Sequence, residues 1–157
     1  MPGFNFRLER VLEVKKYNED KLKTQLAHLK REYLQQENLL WSLQEDLQTQ
    51  IFLLGERQKN LTRTIEEIIW GYNYIVKLRE NIENQKKRLN ELNEQIKEVT
   101  KKLIGASQEK QILENLKERK FEEFKLGVEK QEQEFMDEVG ISRYVSRMRS
   151  DMTPFKT

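Results

Sequence analysis

Residues 8–54 read LERVLEVKKYNEDKLKTQLAHLKREYLQQENLLWSLQEDLQTQIFLL, and the spacing of apolar residues in this stretch decides the fold. Steps of four and three pick out Leu8, Leu12, Lys15, Glu19, Leu22, Leu26, Leu29, Tyr33, Gln36, Leu40, Leu43, Leu47, Gln50 and Leu54, ten of the fourteen apolar. An apolar repeat held at 3.5 residues per turn, with charges and amides between, makes a helix that buries one narrow seam. Such a helix needs a partner with a seam of its own.

That partner lies in the same chain. Ile75, Leu78, Ile82, Gln85, Leu89, Leu92, Ile96, Val99, Leu103 and Ala106 form a cleaner seam, nine of ten apolar. Between the two seams, residues 55–61 are polar, and Thr64 with Glu67 three residues later is a capping box ahead of Ile68 and Ile69. Two heptad helices joined by a short polar link fold back on each other. The fold class is therefore all-α, an antiparallel coiled-coil hairpin with helix 1 at about 6–54, a turn at about 55–64 and helix 2 at about 65–139. Asn5 is the expected N-cap of helix 1, and Gly140 the expected C-cap of helix 2, with a short further helix from Ser142. A basic tail at 140–157 carries Arg143, Arg147, Arg149 and Lys156 against Asp151, and the closing Thr-Pro-Phe-Lys-Thr is expected to be disordered.

A turn centred near residue 60 sets Leu8 opposite about Ile112, so everything later in helix 2 should overhang. There the strict register lands on Lys110, Lys117 and Lys120, while the apolar residues shift to Phe121, Phe124, Val128, Phe135 and Val139. Fully burying one Phe or Val contributes about 1.5–3 kcal/mol, so a bare stripe of this size marks a binding surface.

Composition agrees with long helices rather than a packed globule: 36% of the 157 residues are hydrophobic and 36% charged. With 29 basic and 27 acidic residues the net field is weak, which argues against a nucleic-acid partner. The absence of cysteine excludes disulfides and thiolate metal sites. The opening residues carry charges where a signal peptide needs its apolar core, and no run reaches the length of a membrane span, so a cytoplasmic location without direct membrane insertion is expected.

No residue cluster points to catalysis. His28 is the single histidine and has no companion with which to hold a metal. Adjacent carboxylates, such as Glu66 with Glu67, Glu122 with Glu123 and Asp137 with Glu138, point about 100° apart on a helix, with no pocket to desolvate them. There is no phosphate loop or nucleophile elbow, so the expectation is no enzyme, no metal and no cofactor. Trp70, Tyr72 and Tyr74 near the start of helix 2 either plug the end of the coiled coil or form a contact patch there.

Three stretches, in this order and spacing, carry a family likeness: Phe4-Asn-Phe-Arg7-Leu8-Glu9-Arg10-Val-Leu12, Tyr74-Ile-Val-Lys-Leu78 with Ile82 and Gln85, and Leu116-Lys-Glu118-Arg119 with Gln133-Glu134 and Met136-Asp137-Glu138. Together they resemble FliJ, the coiled-coil protein of the flagellar type III export apparatus. The resemblance implies an antiparallel two-helix coiled coil similar to the central stalk subunit of rotary ATPases, in a protein of flagellum biogenesis, motility and chemotaxis. It implies entry into the pore of a hexameric export ATPase (FliI-like), promotion of its assembly and ATP hydrolysis, and coupling to an export gate protein (FlhA-like) at the inner membrane. Export chaperones are further implied partners, and a chaperone-binding or scaffolding coiled coil without ATPase stimulation is the alternative. Joined to the bare stripe, the likeness assigns ATPase-ring contact to Phe121, Phe124, Val128, Phe135, Arg7, Arg10, Arg119 and Arg143, and export-gate contact to Tyr74, Leu78, Asn81 and Gln85.

Overall fold

The heptad pattern becomes two helices in the computed structural model, which describes residues 3–60 and 64–152. Helix α1 spans Glu9–Lys59 and helix α2 spans Ile65–Asp151, and no strand occurs among the described residues. The two helices pack against each other as a helical hairpin, and every one of the fourteen positions of the first seam, Leu8 just before α1 included, is buried or half-buried. The ten α2 seam positions are likewise withdrawn from solvent, with Leu92 fully buried and Ile75, Leu78, Ile82 and Val99 at most 5% exposed. Thr64 starts α2 as the capping pattern requires, its hydroxyl accepting from the Glu67 amide at 3.4 Å.

Four boundaries differ from the sequence expectation. α1 begins at Glu9 rather than near residue 6, and its first amide bonds to the Phe6 carbonyl at 3.1 Å rather than to an Asn5 cap. α1 runs through Gly55 to Lys59, so the connection is shorter than 55–64. α2 passes through Gly140 with no positive φ and ends at Asp151, so neither a C-cap at Gly140 nor a separate helix from Ser142 exists. A helix-interior glycine costs only about 1 kcal/mol relative to alanine, too little to stop a helix flanked by good helix formers. Residues 61–63 and the closing residues 153–157, for which disorder was expected, lie outside the described residues.

The chain divides into two units, Lys15–Gln108 and Met1–Val14 with Glu109–Thr157. In the Lys15–Gln108 unit the antiparallel register is read from pairs across the helices. Tyr74 donates to Asp46 at 3.0 Å, Gln85 to Gln36, and Arg88 to Glu32 at 2.7 Å, all consistent with a turn centred near residue 60. Gln85 Nε2 reaches both the Gln36 carbonyl at 2.9 Å and its side-chain oxygen at 2.7 Å, so the two seam amides form a hydrogen-bonded layer. Glu19 occupies a seam position at 2% exposure and pairs with Lys23 one turn on. Near the connection Gly71 is buried, and a Cβ there would sit 3.2 Å from Leu54 Cδ1, so glycine permits the close approach of the helices.

In the other unit Leu12 is 1% exposed and Phe6 7% exposed, both packed at the start of the chain. Glu9 accepts from Lys117 at 2.8 Å, whereas a turn at residue 60 would set it opposite about residue 111. The overhang of α2 therefore begins later than Ile112. The non-helical residues before Glu9 also lie against α2, where Phe4 meets Phe121 and Phe124.

Candidate protein-binding surfaces

The first surface belongs to the unit formed by Met1–Val14 and Glu109–Thr157. Seam positions Lys110, Leu113 and Lys117 remain half-buried, so the register carries on through Lys117, and it fails at Lys120, which is exposed. Lys117 tolerates the position because its ammonium reaches Glu9 while its methylene stem lies along the seam. Beyond it, Phe4 packs its ring edgewise on Phe121, with centroids 5.3 Å apart and planes at 75°, and tilted on Phe124 at 5.7 Å. Aromatic pairs of this geometry add about 0.5–1.5 kcal/mol beyond area burial.

The expected bare stripe is thus only partly bare. Phe121 keeps 45% of its surface and Phe124 and Val128 are half-buried, whereas Phe135 is 64% exposed. From residue 129 to 152 every described residue except Val139 is exposed, including Met136, Ile141, Tyr144, Val145 and Met148. Arg7, Arg10, Arg119 and Arg143 all belong to this unit, none with an ion pair among the described residues. The heptad pattern does not mark Phe4 and Phe6. Just before the first helical residue Phe6 is buried and Phe4 lies on Phe121 and Phe124, so these two rings latch the start of the chain to α2, a contact that a helix period does not mark.

The second surface lies on the Lys15–Gln108 unit after the connection. Of the four residues there, Tyr74 and Asn81 face solvent, whereas Leu78 is 4% exposed in the seam and Gln85 is engaged with Gln36. The Asp46 carboxylate accepts the Tyr74 hydroxyl, and this hydrogen bond, with the negative charge behind it, raises the phenol above its ordinary value. Trp70 and Tyr72 do not plug the coiled coil: they are 80% and 60% exposed. Phe52, Ile65 and Ile69 are also exposed, so this end presents an exposed apolar patch. Positions between the seam steps carry these side chains, which is the signal in the sequence for their outward placement.

Among the described residues no helix is long and apolar enough to cross a membrane, and no group of three or more His, Asp or Glu is arranged to hold a metal ion. No curated protein and no solved structure matches the chain. A family model does: the model described as flagellar FliJ protein matches residues 4–149, which takes in both helices, the latch before α1 and the bare end of α2. The chain belongs to the FliJ family of flagellar proteins.

Proposed function

We propose that this flagellar export component is the non-catalytic stalk of the export ATPase. It inserts into the hexameric ring, promotes ring assembly and ATP hydrolysis, and links the ring to the export gate from the cytoplasmic side of the inner membrane. The observation that carries this reading is the bare end of α2, residues 129–151, helical throughout with Phe135, Val145 and Met148 in solvent and no segment of α1 against them. Arg143 lies exposed within this segment, and Arg7, Arg10 and Arg119 lie exposed in the same unit before it, charged neighbours to an apolar anchor. A single asymmetric helix among equivalent subunits touches each one differently. Differential contact energy then biases the nucleotide states of the subunits, which is all that stimulation requires.

The experiment is turnover of the cognate export ATPase with and without this chain. A chain ending at Val128 keeps the latch and both seams, and it should lose the stimulation; full stimulation by that chain refutes the placement of the contact.

The exposed aromatic patch at the connection favours a second role, capture of the gate protein or of export chaperones. Tyr74 and Asn81 reach outward for such a contact, flanked by Trp70 and Tyr72. Replacing Trp70 and Tyr74 by alanine should weaken partner capture and leave ATPase stimulation unchanged. Loss of both together would place ring and gate on one surface.

A further inference from the structure

In the Lys15–Gln108 unit, the contacts of Tyr74 with Asp46 and of Arg88 with Glu32 cross between the helices on one flank of the seam. Each of these four residues directly precedes a seam residue, namely Ile75, Leu47, Leu89 and Tyr33. Residues that directly follow a seam position therefore meet on the opposite flank. Close to the connection that flank carries a repeat of its own. Ile65, Ile69, Tyr72 and Val76 on α2 follow the four-three-four spacing of a seam and are all exposed, in a stripe about 60° wide. The stripe ends after three turns, where the same positions become Arg79 and Glu83. Alongside it on α1 run Trp41, Gln44, Gln48, Ile51, Gly55 and Gln58. None of these ten residues is charged, in a chain of which 36% is. Charge begins on the outer edges, roughly 50–90° round each helix from the stripe, with Glu66 and Glu80 on α2 and Glu45 on α1. Among the described residues none of these three carboxylates has an ion pair, while Lys59 on the α1 edge is spent on Glu56.

We infer that this groove takes an amphipathic helix of another protein, apolar and uncharged toward the groove and basic along its flanks. The repeat on both walls specifies a helix, because a helix running alongside returns a side chain to the stripe at every step of three or four. Unpaired carboxylates on both outer edges select basic flanks on that helix. A second hairpin laid flank to flank would instead set the carboxylates against their own kind, and like charges brought together across an interface suppress pairing. Burial of the stripe supplies the attraction, and the edges supply the choice of partner. The groove lies on the side of α2 away from Tyr74 and Asn81, so it is separate from the surface proposed for gate or chaperone capture. It is also independent of the stalk reading, being measured with no ATPase present.

The probe is a synthetic helix of identical heptads with leucine at the four-three spacing and lysine on both flanks, whose like charge keeps it from pairing with itself. The comparison is the same peptide with glutamate on its flanks. The full chain has two tryptophans, so Trp70→Phe leaves Trp41, which lines the groove, as the sole reporter. The lysine peptide should shift Trp41 emission to the blue and, at low salt, bind at least about tenfold tighter than the glutamate peptide. I69Q/Y72Q removes apolar surface without adding charge and should weaken binding at least about tenfold, whereas Asn81→Gln on the other flank should leave it unchanged. E45K/E66K/E80K should reverse the preference between the two peptides. Circular dichroism shows that the variants stay helical. Equal binding of the two peptides, binding of neither, or undiminished binding to I69Q/Y72Q overturns the proposal. So does sedimentation of the native chain as a dimer that I69Q/Y72Q dissolves, which would give the groove to a second copy.

Discussion

At the scale of single residues, burial separates side chains that hold the chain together from those that face outward. Leu92 is fully buried, so Leu92→Ala should cost about 2–5 kcal/mol, through lost transfer energy and the cavity left behind. Phe135 is the larger side chain, yet at 64% exposure its replacement by alanine should stay within about 0.5 kcal/mol. Chemical denaturation of the two variants checks the contrast. Tyr74 gives a pH-dependent signal. Its phenol is raised by the hydrogen bond to Asp46, so that contact stabilises the fold below the ordinary tyrosine range and is lost as pH climbs through the raised value. Absorbance titration should show the Tyr74 tyrosinate forming late, and Asp46→Ala should bring it earlier.

At the scale of elements, the seams were legible in the amino-acid sequence position by position, because a 3.5-residue repeat leaves a single way to turn a helix toward its neighbour. The ends were not. Asn5 and Gly140 have the residue types of caps, but whether such a residue caps a helix is decided by its neighbours on both sides. The latch through Phe4 and Phe6 delays α1 to Glu9, and the helix formers after Gly140 outweigh its propensity cost. Lys110 and Lys117 read as a broken register, whereas a lysine stem can line a seam when its charge has somewhere to go, here Glu9 for Lys117. The glycines give the matching prediction. Gly127→Ala and Gly140→Ala meet nothing within 4 Å and should each raise stability by about 0.5–1 kcal/mol. Gly71→Ala should gain less or lose, because its Cβ would press on Leu54. Thermal melts of the three variants rank them.

At the scale of the whole molecule, stability must be uneven along α2. Amide hydrogen exchange should protect Ile75 to Ala106, where seven of the ten seam residues are apolar and buried, far more than residues 129–151, where almost every side chain is in water. A partner that covers the bare segment should slow its exchange and leave the protected stretch unchanged. The candidate surfaces were legible only as leftovers of the seam pattern, since outward residues carry no periodic constraint and a partner's shape is not written in one chain. The amide layer of Gln36 and Gln85 bears on alignment as well. Leucine-rich seams can slide past one another by seven residues with little loss, but such a slip would bury both amides against aliphatic neighbours and orphan their donors. That layer acts as a detent. With Gln36 and Gln85 both changed to Leu, the hairpin should melt at a higher temperature and yet sample more than one alignment, so a chain made tougher would have lost its gauge of where the two helices meet.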